Sequence, residues 1–187
     1  MKHQLHCCAA ILALCPFTAL FGQKESRPVR RPDFPLIRTV SSCQLIASEG
    51  YYELDQDLVS QGSCITISGA HEVTLNCRGH KIMAAGTNIT VVDSTAIEIL
   101  SCTAHRPVEN TGAGLAISNS QGVGVRFNDI ELIYATGCSK LNVWNNTILG
   151  TYSQDNTNYT VFSNNQVTAY SDVATQGPVI SLSLIHI

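Results

Sequence analysis

The chain has 187 residues, a formal net charge of −3 at pH 7 and only 13% charged residues. This composition provides no basic surface for nucleic acid and no acidic tail, so nucleic acid is not an expected partner.

Residues 1–22 have the pattern of a secretory signal peptide. Lys2 precedes an apolar run from Cys8 to Phe21, and Gly22 provides a small residue for cleavage. A signal anchor is the alternative, but the run is shorter than the roughly 20 residues of a spanning helix, and Pro16 interrupts it. No later segment is apolar enough to span a membrane. We therefore expect a secreted or cell-surface protein.

Two short segments follow the signal peptide. Residues 23–35 are basic and rich in proline, which disfavours helix and predicts a disordered leader. Residues 36–49 mix apolar and small polar side chains, and we expect an N-terminal cap that closes the end of the domain.

The sequence from Val123 to Val167 repeats one unit three times. The units begin at Val123, Leu141 and Tyr159, 18 residues apart, and each alternates apolar and polar residues before an asparagine. A period near 20 with strand alternation predicts stacked β coils. The repeated asparagines predict a structural ladder, because asparagine tolerates a left-handed backbone and its amide can bond to the amide of the next coil. The predicted ladder residues are Asn128, Asn146 and Asn164.

The same alignment extends to earlier strands. The strand starts are Val73, Ile97, Val123, Leu141 and Tyr159. The second residue after each start is apolar and is expected to point into the coil. These inward residues are Leu75, Ile99, Val125, Val143 and Val161.

Three segments carry a resemblance to a known family: Gly50-Tyr-Tyr-Glu-Leu, Cys64-Ile-Thr-Ile-Ser and Val73-Thr-Leu-Asn-Cys-Arg-Gly-His-Lys-Ile. With the later Asn-Asn turns, they resemble the right-handed parallel β-helix proteins of the pectin-lyase-like superfamily. The resemblance implies an all-β, right-handed parallel β-helix (β-solenoid) of about five to six coils over residues 50–181. The superfamily includes lyases, hydrolases, epimerases and adhesins, so the resemblance does not specify a function.

The small number of coils suggests that the chain is a C-terminally truncated fragment. Residues 182–187 resemble translated adaptor sequence and are interpreted as a non-native tail.

Outward positions of the aligned strands supply the candidate binding face. The fourth position of each unit gives one column, namely Asn76, Leu100, Arg126, Trp144 and Phe162. The second position gives a neighbouring column, namely Thr74, Glu98, Gly124, Asn142 and Thr160. Aromatic rings pack against sugar rings, and a guanidinium pairs with uronic carboxylates. The carbohydrate-binding candidates are Glu98, Arg126, Asn142, Trp144 and Phe162. The alternative is that Trp144 and Phe162 only stack on each other.

We therefore predict a protein that binds or modifies polysaccharide on an outward strand face. The alternative is a non-enzymatic structural or adhesive scaffold that binds other proteins. No catalytic residue is assigned. If the protein is an enzyme, a lyase or epimerase is favoured over a glycoside hydrolase, because polygalacturonase-type signatures are absent. A lyase would need a base and charge neutralisation, which Arg126 or Ca²⁺ held by Glu98, Asp129 or Glu131 could supply. Otherwise no cofactor is expected.

Five cysteines follow the signal peptide, so at least one has no partner within the chain. Cys77 and Cys102 fall at adjacent turns of neighbouring coils, and Cys43 with Cys64 could pin the cap to the first coil. Buried thiols are the alternative to both disulfides.

Sequons and a cluster of histidine and cysteine residues are further candidate sites. Sequons at Asn88, Asn145 and Asn158 predict glycosylation. A metal site at His71, Cys77 and His80 matches no metal-binding spacing, so no metal is predicted.

Overall fold

The computed structural model describes residues 36–105, 112–174 and 180–182. The predicted signal peptide, the predicted leader and residues 183–187 of the predicted tail lie outside this part of the chain.

The described chain contains nineteen short strands and no helix. In chain order the strands are β1 (Ile37–Val40), β2 (Leu45–Ile46), β3 (Gly50–Leu54), β4 (Leu58–Ser60), β5 (Ile65–Ser68), β6 (His71–Asn76), β7 (Lys81–Ala84), β8 (Ile89–Val92), β9 (Thr95–Leu100), β10 (Thr103–Ala104), β11 (Leu115–Ser118), β12 (Gln121–Arg126), β13 (Asp129–Ile130), β14 (Ile133–Thr136), β15 (Asn142–Trp144), β16 (Thr147–Asp155), β17 (Val161–Ser163), β18 (Gln166–Ala174) and β19 (Ile180–Leu182).

The strands stack as a parallel β-solenoid of about five turns. Sheet A has eight strands in the order β1-β3-β6-β9-β12-β15-β17-β19. The other eleven strands form sheet B. One row of sheet B is β2-β5-β8-β11-β14 and the other is β4-β7-β10-β13, and the long strand β16 pairs with the last strand of each row. Sheet B therefore covers the other sides of each coil. The all-β prediction and the predicted stacking of coils are confirmed.

Alternation of apolar and polar residues explains why these segments form the coil walls. In β6, Val73 and Leu75 are fully buried, whereas the intervening Thr74 is half-exposed. Parallel pairing then places Val73 beside Ile97 and Leu75 beside Ile99 in the next coil. Equivalent apolar side chains therefore stack along the interior, where burial of apolar surface stabilises every added coil.

The predicted register is correct through Val143 and wrong by one residue in the following coil. Val143 pairs with Phe162 rather than with Val161. Phe162 is 1% exposed and Val161 is 40% exposed. A shift of one residue moves every side chain of a strand to the opposite face, so the larger apolar Phe162 is buried and Val161 faces outward.

Residues 36–49, where the N-terminal cap was predicted, form an incomplete first coil at the end of the solenoid. Strand β1 pairs with β3, and β2 pairs with β5, both in parallel. The predicted Cys43–Cys64 disulfide is present and ties this coil to the next one.

We call the corner that follows a sheet A strand the exit corner. In the later coils an asparagine ladder occupies this corner. The side-chain oxygen of Asn128 accepts the Cys102 backbone N–H at 2.8 Å. The oxygen of Asn146 accepts both the backbone and the side-chain N–H of Asn128, each at 3.0 Å. The third rung is Asn165, which bonds to Asn146 in the same way at 3.0 and 2.9 Å. Asn128 and Asn146 are confirmed as ladder residues, and Asn164 is wrong by one position.

The residue before each rung has the left-handed backbone. Phe127, Asn145 and Asn164 have φ of 58°, 55° and 52°. The repeat predicted that one asparagine has both the turn conformation and the ladder bond. The structure divides them between two adjacent residues.

The predicted Cys77–Cys102 disulfide is also present and lies at the exit corner of the earlier coils. Among the described residues Cys138 is the cysteine without a disulfide partner, and it is buried at the corner before β15. Corners of this type, which we call entry corners, hold small buried residues in successive coils, namely Ala70, Ser94, Ser120, Cys138 and Thr157. The Cys138 thiol donates to the carbonyl of Thr136 at 3.3 Å, as the Ser120 hydroxyl donates to Ser118. Cys138 is therefore one member of a row of small side chains, of which all but Ala70 donate to a carbonyl of the preceding strand.

Candidate functional site

The outward side of sheet A carries two columns of side chains. Strand pairing sets the first column as Tyr51, Thr74, Glu98, Gly124, Asn142 and Val161. It sets the second column as Glu53, Asn76, Leu100, Arg126, Trp144 and Ser163. Glu98, Arg126, Asn142 and Trp144 therefore share one face, as predicted from the repeat.

Glu98 and Arg126 form an ion pair across adjacent coils. Arg126 Nε lies 3.1 Å from Glu98 Oε2, and the two side chains are 33% and 38% exposed. Gly124, the strand neighbour of Glu98, leaves room for the carboxylate, because a Cβ at Gly124 would lie 2.5–2.6 Å from its three atoms. A larger residue at position 124 would displace the carboxylate that holds Arg126.

The guanidinium of Arg126 also contacts Trp144 in the next coil. Arg126 Cζ lies 5.7 Å from the centroid of the Trp144 ring. A guanidinium within about 6 Å of an aromatic face is attracted to the ring electrons. The ion pair and this contact hold the Arg126 side chain between Glu98 and Trp144.

Phe127 is a site residue that the repeat alignment did not identify. Its ring is 55% exposed and meets the Trp144 ring edge to face, with 5.1 Å between centroids and 63° between planes. Its φ of 58° is unusual for a bulky side chain. The available signal was that Phe127 stands directly before Asn128, where the next two coils have Asn145 and Asn164.

Phe162 does not belong to this face, and its predicted role is wrong. Its ring is buried inside the coil against Tyr152, with 4.5 Å between centroids. Ser163 stands beside Trp144 in its place. The aromatic surface on the face therefore comes from Trp144 and Phe127.

The three sequons differ in accessibility. Asn88 is fully buried, and its amide accepts from Ala84 N–H and donates to Ile82 and His105 carbonyls. A glycan on this nitrogen does not fit the fold, so that prediction is wrong. Asn145 and Asn158 are half-exposed, and glycosylation at both stays a prediction.

Two histidine–carboxylate pairs lie on sheet B and its adjoining exit corners. His80 Nδ1 lies 3.2 Å from Asp57, and His105 Nε2 lies 3.0 Å from Asp129. The Lys81 backbone N–H, which donates to Asp57 at 2.9 Å, is the main cause of a lowered pKa of that carboxyl, and His80 adds to it.

The described residues contain no group of three or more histidine, cysteine, aspartate or glutamate side chains arranged to hold a metal ion. Cys77, which lies between His71 and His80 in the sequence, is in a disulfide. The suggested Ca²⁺ ligands Glu98 and Asp129 each lie against a basic side chain, Arg126 and His105 respectively.

Comparison of the chain with protein-family models, with curated protein sequences and with solved structures finds no match. Its class is therefore defined by the fold, a parallel β-solenoid of about five turns. The two disulfides are typical of proteins that fold in an oxidising, extracellular environment. Within the part of the chain that the structure describes, no helix is suited to crossing a membrane.

Proposed function

We propose that this chain is a secreted protein that binds polysaccharide on the outward face of sheet A. The observation that carries the proposal is the contact of Arg126, Trp144 and Phe127 on the solvent side of two adjoining coils. The resemblance of its coils to the pectin-lyase-like superfamily supports the proposal, and membership of that superfamily is part of it.

The chemistry of these side chains suits a sugar chain. Aromatic rings with one exposed face pack against the C–H groups of a pyranose, and flanking polar groups bond to its hydroxyls. Phe127 is half-exposed, and Asn142, in the next column, is exposed. The parallel sheet repeats such positions at the strand spacing of about 4.8 Å, which suits an extended polymer better than a compact ligand.

We propose binding rather than catalysis because Arg126 is already paired with Glu98. A lyase or epimerase would need that guanidinium to neutralise a uronate or to act as the base.

A glycan array probed with the full secreted chain tests the proposal. The wild type is expected to bind a set of polysaccharides, and Trp144→Ala is expected to reduce that binding by about tenfold or more, since it removes the central ring. Arg126→Ala is expected to weaken the same signals. A well-folded wild type that binds no glycan would refute the proposal and favour the scaffold alternative.

Two further variants separate loss of the site from loss of the fold. The next two coils have asparagine at the left-handed position that Phe127 occupies. Phe127→Asn therefore removes the aromatic ring while keeping the backbone conformation of the corner. Tyr134→Ala removes a 41% exposed ring from sheet B and serves as the matched control. Weaker binding by Phe127→Asn with unchanged binding by Tyr134→Ala is the expected result. Equal effects of the two would place the site elsewhere.

A further inference from the structure

Resting on the proposed function, we infer that the ligand is a neutral polysaccharide and not one rich in uronic acids. The charges on the outward face of sheet A carry this inference. The sequence alone suggested the opposite, because Arg126 beside an aromatic residue is suited to binding a carboxylate.

The positive charge of Arg126 is compensated by a carboxylate of the protein itself. Its Nε lies 3.1 Å from Glu98 Oε2, and both atoms of this contact are shielded from solvent although the side chains are about one-third exposed. Gly124 makes this arrangement possible, since any side chain there would collide with the Glu98 carboxylate. The carboxylate that pairs with Arg126 is thus already present at the site.

The same pairing occurs two coils earlier. Arg78 Nη1 lies 3.4 Å from Glu53 Oε2, again with the carboxylate in the preceding coil. Arg38, in the first coil, lies over the Tyr52 ring and donates to its hydroxyl. Lys140 lies in the entry corner before β15, at the end of that strand opposite Trp144.

A uronate that approached Arg126 would meet a guanidinium whose charge Glu98 already compensates, and its carboxylate would lie close to the Glu98 carboxylate. The second carboxylate gains little net charge attraction and is repelled by the first. A neutral sugar meets no such opposition, because it can pack on Trp144 and Phe127 and bond to the outer edge of the ion pair.

Binding of length-matched neutral glucan and mannan and of polygalacturonate and alginate, measured at about 20 and 300 mM NaCl, tests the inference. The wild type is expected to bind a neutral polymer more tightly than either uronate polymer. This binding should change less than about twofold between the two salt concentrations, because screening acts on charge contacts. Tighter binding of a uronate polymer would overturn the inference while leaving the proposed function standing. Absence of binding to all four would overturn the proposed function itself.

Glu98→Gln is the decisive variant. It keeps the shape of the side chain and leaves the Arg126 charge uncompensated, so uronate binding should rise by about tenfold and become sensitive to salt. Glu53→Gln makes the same change in net charge at the Arg78 pair and is the control, for which a much smaller gain is expected. Equal gains would show that only net charge matters, and no gain in Glu98→Gln would show that the ion pair does not select the ligand. Either result would overturn the inference.

Discussion

The exit corner is held together differently in the two halves of the solenoid. In the earlier coils a disulfide joins Cys77 to Cys102. In the later coils the side-chain amides of Asn128, Asn146 and Asn165 bond from one coil to the next. Both devices tie adjacent coils at a place where buried backbone groups need partners.

Coil length explains the difference. Val73 pairs with Ile97 and Ile97 with Val123, so the earlier coils have 24 and 26 residues. Gly124 pairs with Asn142, so the next coil has 18. The following coil, from Asn142 to Val161, has 19. Short coils of similar length bring the same corner into register each time, which an amide ladder requires. A covalent bond tolerates unequal loops and reduces the entropy of the longer unfolded segment.

The largest expected effect comes from breaking the ladder at its centre. Asn146 is 3% exposed, and its amide donates to Val125 and Trp144 carbonyls while its oxygen accepts twice from Asn128. Asn146→Ala leaves several buried groups without partners and should lower the free energy of unfolding by about 4 kcal/mol. Urea unfolding of the variant and of the wild type measures this difference in the free energy of unfolding.

Asn164→Gly is the matched control for the ladder, because glycine adopts the left-handed backbone of Asn164 without strain. It should change stability by less than about 0.5 kcal/mol. A larger loss in Asn164→Gly than in Asn146→Ala would contradict the ladder as described.

The second-largest expected effect on stability comes from removal of the Cys77–Cys102 disulfide. The double variant Cys77→Ser/Cys102→Ser opens a loop between residues 25 apart and should lower the free energy of unfolding by about 3 kcal/mol. Chemical reduction of the wild type should cause the same loss of stability, to which opening of the Cys43–Cys64 disulfide adds. Unchanged stability of the double variant would mean that the earlier coils do not need this bond.

The entry corner provides a third test. Cys138→Ser keeps a small donor like those of Ser94 and Ser120 and should change stability by less than about 1 kcal/mol at pH 7. Cys138→Val fills the site without a polar atom and should cost about 1–3 kcal/mol, because the Ser120 backbone N–H then has no side-chain acceptor. Similar losses for the two variants would show that only volume matters there.

The dependence of stability on alkaline pH provides a further test of the role of Cys138. Burial raises the pKa of the Cys138 thiol above its ordinary value of 9.0, although the bond that the Ser120 backbone N–H donates to the sulfur acts in the opposite direction. The Cys138 thiol therefore ionises at a lower pH in the unfolded chain than in the folded one. Its contribution to the free energy of unfolding is fully present below about pH 9 and is lost as the pH rises through the raised pKa of the folded state. Cys138→Ser should abolish this part of the pH dependence, as measured by thermal unfolding between pH 7 and 11.

The smallest expected effect is at Phe127. Phe127→Asn relieves a left-handed backbone at a bulky residue, worth about 1 kcal/mol, and loses an aromatic contact with Trp144 of similar size. The free energy of unfolding should therefore stay within about 0.5 kcal/mol of the wild type. A loss of 2 kcal/mol or more would mean that the ring stabilises the corner and does not serve as exposed surface.

Several features were predictable because they depend on local pattern. The repeat placed Val73, Ile97, Val123 and Leu141 as equivalent strand starts, and the turn positions of Cys77 and Cys102 suggested their disulfide. Glu98, Arg126 and Trp144 were assigned to one face because residues two apart on a strand share a side and parallel coils stack in register. The ion pair between Glu98 and Arg126 was not predicted, since it depends on side-chain conformation and on the space above Gly124.

The sequence by itself determined the stacked parallel coils, because an apolar residue at every second position near a period of 20 can be buried in few other ways. The tertiary structure alone decided between neighbours that look alike in sequence. It chose Asn165 over Asn164 and buried Phe162 in place of Val161, because one extra residue in a coil turns a whole strand over and only the packed interior selects which side is filled. It also turned Phe127 toward Trp144, since the direction of a side chain at a left-handed corner follows from the coils on either side.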